Sequence, residues 1–99
     1  MFVTDYIHHL NQVLNYLNTD QINNVIKLIQ QSNNVYVIGN GGSSAIADHF
    51  VVDLIKFGHK NAHTLSNPSL YSMLVNDYGH EHSLKWIVDR ICKKNDLII

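Results

Sequence analysis

The chain of 99 residues is poor in cysteine, in basic side chains and in long apolar runs, and each shortage excludes a class of protein. A single cysteine, Cys92, cannot form a disulfide within the chain, which favours a reducing compartment and makes the cytoplasm the expected location. The net charge of −1 at pH 7 comes without a basic patch beyond Lys93 and Lys94, so we expect no nucleic-acid partner. No apolar run approaches the ~20 residues of a membrane span, and no signal peptide is recognisable, so no membrane association is expected.

The composition is that of one small folded domain. Apolar residues make up 45% of the chain and charged residues 15%, which excludes a disordered polymer. A chain of this length buries only about 60–65% of its unfolded surface, so the core is expected to be modest. Cys92 lies on the apolar side of a predicted helix, and we interpret it as a buried structural thiol rather than a nucleophile.

The stretch from Val35 to Asp53 combines a strand, a glycine-rich turn and a helix. The apolar run Val35–Ile38 leads directly into Gly39–Ser43, with the sequence GNGGS. An apolar stripe at helical spacing follows, formed by Ile46, Phe50, Leu54 and Phe57. Glycines let the main chain approach a ligand closely, and the first N–H groups of a helix have no partner inside it. The junction therefore predicts an anion site at Asn40, Gly41, Gly42 and Ser43, with Ser43 as helix N-cap or phosphate ligand.

The glycine turn fits neither of the two commonest phosphate-binding loops. In the dinucleotide fingerprint a glycine stands three residues after the second one, and here that position is Ser44. The P-loop requires a lysine after its last glycine, and Ser43 follows Gly42 instead. A tight turn without a ligand remains the alternative to an anion site.

Two further pairs of polar residues are candidates for a site. His49 and Asp53 are four positions apart and share one helix face, where they could ligate a metal or place a carboxylate beside an imidazole. Two ligands are too few for a stable metal site, and a surface hydrogen bond is the competing interpretation. Asn76 and Asp77 precede Tyr78-Gly79 in a turn-forming cluster, which favours either a cap or a ligand contact.

The order of predicted elements indicates an α/β domain with a parallel sheet. Two helices come first, one over about residues 3–18 and a second with Thr19 or Asp20 as its N-cap, ended by Ser32-Asn33-Asn34. Strands follow near 35–38, 62–65 and 96–99, with helices near 42–58, 68–76 and 81–93. The first helix has a narrow apolar seam, Val3, Ile7, Leu10, Leu14 and Leu17, hereafter the α1 seam. Such a seam suits packing between subunits or against the rest of its own domain.

Taken together, these motifs resemble the SIS (sugar isomerase) domain family, and most closely its phosphoheptose isomerase branch. The residues that carry the resemblance are GNGGS after a strand, His49-Phe50 ahead of the Asp53 carboxylate, NDYG at Asn76–Gly79, and the closing KKNDLII. The resemblance implies a three-layer α/β sandwich, flavodoxin-like, with two preceding helices. It divides the chain into an oligomerising helical pair at 1–33 and the first half of an SIS domain at 34–99.

The family resemblance also implies an activity. It predicts a homotetramer with active sites between subunits, which interconverts sedoheptulose 7-phosphate and glycero-manno-heptose 7-phosphate for heptose in lipopolysaccharide or capsule. It places Asn40, Gly41, Gly42, Ser43, Asn76 and Asp77 at the sugar phosphate, and it makes His49 and Asp53 both zinc ligands and catalytic residues.

Two departures from the family pattern qualify that activity. Asp53 stands where these isomerases carry glutamate, and the later serine-rich loop and two further zinc ligands lie beyond residue 99. We therefore expect the 99-residue chain to be inactive and marginally stable alone. The alternative function is a non-catalytic SIS module that binds a sugar phosphate or a protein partner, and a nucleotide-binding domain is the weakest candidate.

Overall fold

A computed structural model describes residues 1–99 and contains the predicted elements in the predicted order. The elements are α1 (Phe2–Asn15), α2 (Thr19–Gln31), β1 (Asn34–Val37), α3 (Gly42–Lys56), β2 (Asn61–Thr64), α4 (Pro68–Tyr78), α5 (His80–Ile91) and β3 (Leu97–Ile98). None of these helices combines the length and the hydropathy that crossing a membrane requires.

The three strands form a parallel sheet in the order β2-β1-β3. In the register of the sheet, Val35 on β1 lies beside Ala62 on β2 and Leu97 on β3. Right-handed crossovers place α3 on one face of the sheet and α4 with α5 on the other, because β2 and β3 flank β1 on opposite sides. The expected three-layer α/β architecture, with two preceding helices, is confirmed.

The core lies between α3 and the sheet, and it uses only part of the apolar stripe seen in the sequence. The buried residues of this cluster are Val35, Val37, Ala47, Val51, Leu54 and Ala62. Ile46 is 73% exposed and Phe57 is 70% exposed, so only part of the predicted stripe contributes. Helix α3 is apolar on two sides, and the side with the small Ala47 faces the sheet.

The two N-terminal helices contain no buried residue. The α1 seam is between 45% and 60% exposed. The radius of gyration is 16.5 Å, against the roughly 13 Å of a compact chain of this length. Helix α2 is joined to the sheet by Ile29, which packs on the core, and by the Lys60 ammonium, which donates to the Ser32 carbonyl at 2.7 Å. Helix α1 therefore projects with its apolar seam unpartnered within the chain.

Two local predictions need correction. Asn18, rather than Thr19 or Asp20, caps α2, because its side-chain oxygen accepts from the N–H groups of Asp20 and Gln21 at 3.0 and 3.1 Å. Helix α4, capped by Asn67, continues to Tyr78, so Asn76 and Asp77 are helical and lie outside any turn. Only Gly79, at φ +79°, separates α4 from α5.

Cys92 lies immediately after α5 and is half-buried. Burial raises the pKa of its thiol, and the nearby Asp96 carboxylate acts in the same direction. A raised pKa keeps the sulfur protonated, which agrees with a structural thiol.

Candidate functional site: the glycine turn and its cleft

The glycine turn links β1 to α3 through two positions that require glycine. A Cβ on Gly39 would lie 2.5 Å from the main-chain carbonyl of Ser43, so the end of the strand and the start of the helix approach too closely for a side chain. Gly41 has φ +56°, a conformation that glycine adopts at low cost, and it occupies the N-cap position. The expected capping role of Ser43 is wrong, because Ser43 lies inside the first turn of α3.

The turn leaves a row of main-chain donors unused. The N–H groups of Ser43 and Ser44 donate to the carbonyls of Asn40 and Gly41 at 3.1 and 3.0 Å, but those of Asn40, Gly41 and Gly42 donate to no acceptor in the chain. A Cβ added to Gly42 would meet no atom within 4 Å, so this part of the main chain faces open space. Unpaired N–H groups at an accessible helix start attract anions.

The glycine turn forms one wall of a cleft of about 310 Å³. The opposite wall comes from the β2–α4 connection and the start of α4, and the lining residues are Gly39, Asn40, Gly41, Ser44, Leu65, Ser66, Pro68 and Tyr71. This volume is at the lower end of the range for small-molecule sites. The cleft opens at the carboxyl edge of parallel strands, where ligands of open α/β sheets bind.

The cleft continues into a narrow end of about 20 Å³ that is lined also by Asp48 and Thr64. The Ser66 hydroxyl donates to the Asp48 carboxylate at 2.7 Å, and the Thr64 hydroxyl is 3.2 Å from that of Ser66. Tyr71 lines both parts, and its hydroxyl is 3.1 Å from Nδ1 of His80.

The sequence prediction did not include these side chains as site residues. One signal was present: Ser66 follows a strand at the carboxyl edge of the sheet, where ligands bind. Asp48 lies four residues after Ser44 and therefore on the same face of α3 as the cleft.

His49 and Asp53 lie on the opposite side of α3 from the cleft. Their side chains are 78% and 47% exposed, and Nε2 of His49 is 3.7 Å from an oxygen of Asp53. With 3.6 residues per turn, the residues that face the sheet and the cleft, such as Ser44, Ala47 and Val51, point away from this pair. The structure therefore brings the pair together but separates it from the glycine turn of the same chain.

The donor set for a metal is incomplete within these residues. No group of three or more histidine, cysteine, aspartate or glutamate side chains is arranged to hold a metal ion. A zinc site uses three or four protein ligands, and His49 with Asp53 supplies two. The residues present do not form a zinc site by themselves.

Asn76 and Asp77 lie on the last turn of α4 and are exposed. The Asn76 amide donates to the Asp77 carboxylate at 3.0 Å. Neither residue lines the cleft. Of the predicted site residues, Asn40 and Gly41 of the glycine turn line the cleft, whereas Gly42 and Ser43 do not.

Comparison with known proteins agrees on one family. The phosphoheptose isomerase GmhA of Neisseria gonorrhoeae superposes with a TM-score of 0.81 over 98% of this chain and 54% of its own, at 23% identity. The chain has a phosphoheptose isomerase-like fold. The SIS resemblance inferred from the sequence is confirmed at the level of the fold.

Curated relatives with the name phosphoheptose isomerase support this assignment. One from Glaesserella parasuis is 32% identical over 93% of this chain and 55% of its own length, and one from Helicobacter pylori is 31% identical over 76% and 42%. A probable phosphoheptose isomerase of Thermoplasma acidophilum is 31% identical over 72% of this chain and 42% of its own. The chain thus spans about half the length of these relatives. No protein-family model matches it.

Proposed function

We propose that this chain is the sugar-phosphate-binding part of an isomerase of the phosphoheptose isomerase type. The reaction would interconvert sedoheptulose 7-phosphate and glycero-manno-heptose 7-phosphate. The observation that carries the proposal is the row of three unpaired N–H groups, from Asn40 to Gly42, in a turn whose Asn40 and Gly41 line a cleft of about 310 Å³. The relatives named phosphoheptose isomerase supply the reaction type.

The phosphate would bind at the glycine turn. Main-chain N–H groups at a helix start carry partial positive charge, and they bind a phosphate without a lysine or arginine. No basic side chain lines the cleft, so these donors are the groups available for the anion. The Ser43 hydroxyl does not line the cleft and is proposed as a contact from the neighbouring part of the glycine turn. Asn76 and Asp77 are proposed as substrate contacts from outside the cleft.

His49 and Asp53 are proposed as the catalytic pair. Moving a proton between neighbouring carbons of a sugar needs a base near the carbonyl, and Asp53 would take this role while His49 orients the substrate. Because the pair faces away from the cleft of its own chain, it would act on a substrate that another part of the assembled protein presents. The same pair is proposed as two of the ligands of a zinc ion, with the others contributed from outside residues 1–99.

An assembly would cover the surface that the chain leaves exposed. Only 9 of the 99 residues are buried. A mostly apolar groove of about 420 Å³ runs along α2 from Leu17, the last residue of the α1 seam, to Phe50 of α3. We propose that residues 1–33 join copies of the chain into a homotetramer. The proposed setting is the cytoplasm, in the supply of heptose for lipopolysaccharide or capsule.

A non-catalytic SIS module is the second candidate. Asp53 is one methylene shorter than the glutamate expected at this position, and a shift of order 1 Å in a catalytic group can cost about 10²-fold in rate. In this case the cleft would still bind a sugar phosphate, but as a signal or as part of a protein interface.

The test separates binding from turnover. Calorimetry should show that the 99-residue chain binds sedoheptulose 7-phosphate, and product analysis should show that it forms no aldose. A version extended to the length of the relatives should form the aldose, and Asp53→Asn in that version should abolish turnover while binding persists.

Each alternative has a distinct outcome. The non-catalytic module would be established if the extended version binds the sugar phosphate without turnover, both with Asp53 in place and as the Asp53→Glu variant. Absence of binding in both the chain and its extended version would reject both candidates.

A further inference from the structure

The narrow end of the cleft has the size of a single hydroxyl group. Its volume of about 20 Å³ is slightly larger than the roughly 10–15 Å³ that one water-sized group needs. It joins the wider part directly, since Asn40, Ser44, Ser66 and Tyr71 line both. A ligand that fills the wider part can therefore place one small polar group beside Asp48.

The hydrogen bonds around Asp48 fix which kind of group that is. An ionised carboxylate only accepts, so Ser66 is the donor at 2.7 Å, and the Ser66 oxygen is left to accept from Thr64 at 3.2 Å. Asp48 takes part in none of the three ion pairs of the chain, so its charge is not neutralised by a cation. Asp48 is exposed, so its remaining lone pairs face the cleft opening and are free to accept from a donor such as an alcohol.

We propose that Asp48 accepts a hydrogen bond from a hydroxyl of the sugar chain in this narrow end, and that Ser66 positions its carboxylate. The two ends of the cleft would then bind different parts of the ligand. The N–H donors of the glycine turn hold the phosphate, and the acceptor Asp48 selects for a polyol chain. This subsite rests on the proposed function, because the glycine turn must hold the phosphate for the sugar chain to reach Asp48.

The test compares two ligands on the same variants. Asp48→Asn keeps an oxygen for Ser66 but removes the charge, and a hydrogen bond to a charged group is worth about tenfold or more in affinity. We expect Asp48→Asn to raise the Kd for sedoheptulose 7-phosphate about tenfold. Binding of inorganic phosphate should be unchanged or tighter, because a nearby negative charge is gone. Asp89→Asn, on the exposed surface of α5 and away from the cleft, is the control and should change neither.

A double-variant comparison tests the positioning role of Ser66. Ser66→Ala should weaken sugar-phosphate binding in the parent chain and have no further effect in Asp48→Asn. If Ser66 has a purely structural role, Ser66→Ala should instead weaken binding by the same factor in the parent chain and in Asp48→Asn. Thermal unfolding checks that each variant is folded.

The outcomes separate this subsite from the proposed function. Equal affinity of the parent and Asp48→Asn for sedoheptulose 7-phosphate would overturn the subsite alone. An equal loss of affinity for sedoheptulose 7-phosphate and for inorganic phosphate in Asp48→Asn would also overturn it, because Asp48 would then support phosphate binding at the glycine turn. If the parent binds neither ligand, the proposed function fails together with the subsite.

Discussion

The Asp96 carboxylate holds Asn34 by both its main-chain N–H and its side-chain amide, at 3.1 and 2.9 Å. The other oxygen of Asp96 accepts from the Lys93 N–H at 2.8 Å. These bonds fix the entry to β3 beside the start of β1, so they help to set the register of the central strand pair.

Stability should therefore fall in acid through Asp96. The hydrogen bond from the Asn34 side chain is the largest cause of the lowered pKa of Asp96, followed by that from Lys93. The unfolded chain binds the proton more readily, so the stabilisation is complete above the unfolded pKa of about 3.9 and is lost as the pH falls through the lower folded value. Thermal unfolding between pH 2 and 6 should show a smaller acid-induced decrease in Tm for Asp96→Asn than for the parent.

The matched control for this prediction is Asp89→Asn. Asp89 is an exposed carboxylate paired with Lys85 on α5. Its variant should keep the acid dependence of the parent. A decrease of equal size in the parent and in Asp96→Asn would contradict the role of Asp96.

Alanine substitutions at two glycines of the turn should have opposite consequences. Gly42→Ala meets no atom within 4 Å, so Tm should be nearly unchanged while the new methyl group obstructs the approach of a phosphate. Gly39→Ala forces a contact of 2.5 Å with main-chain atoms of Ser43, and overpacking of this kind costs about 1–3 kcal/mol. Calorimetry with inorganic phosphate and thermal scans of both variants provide the measurement. Unchanged phosphate affinity in Gly42→Ala would place the anion elsewhere.

The sequence predicted the fold well because its signals are local. Strand Val35–Ile38, the GNGGS turn and Pro68 after Asn67 each determine structure through their own backbone preferences, and all three elements are present with shifts of one or two residues. The face of α3 was not predictable in this way. Ile46 and Ala47 are both apolar, so the sequence pattern does not show which of them faces the sheet, and the structure buries Ala47 while Ile46 is 73% exposed.

The candidate site was predictable only in part for the same reason. The glycine turn is a contiguous motif, whereas the pairing of Asp48 with Ser66 joins residues 18 positions apart across a crossover. His49 and Asp53 are separated from the cleft because of the way α3 is turned about its own axis relative to the sheet. The four-residue spacing of the pair does not determine this orientation.

Helix α2 should depend on Asn18 rather than on Thr19. The Asn18 side chain accepts from two main-chain N–H groups, and loss of such a cap typically costs about 1 kcal/mol. Asn18→Ala should lower the Tm and the helical circular dichroism signal, and Thr19→Ala should leave both nearly unchanged. If Thr19→Ala lowers the Tm more than Asn18→Ala does, Thr19 is the N-cap, as the sequence first suggested.

The α1 seam should control the oligomeric state. Leu10 and Leu14 are 45% and 52% exposed in the single chain, and apolar side chains in such a stripe are stabilised by burial against another helix, by about 1.5–3 kcal/mol for each one that is fully covered. Leu10→Glu with Leu14→Glu would place two charges in that contact. Light scattering should then show a smaller assembly than the parent forms at the same concentration.

The control double variant is Asn11→Glu with Asn15→Glu. These positions are also four residues apart on α1, but they lie outside the seam, so the added charge is the same while the apolar stripe is intact. This variant should keep the mass of the parent. If both double variants have the parent's mass, copies of the chain do not associate through α1, and the seam packs against another part of the protein.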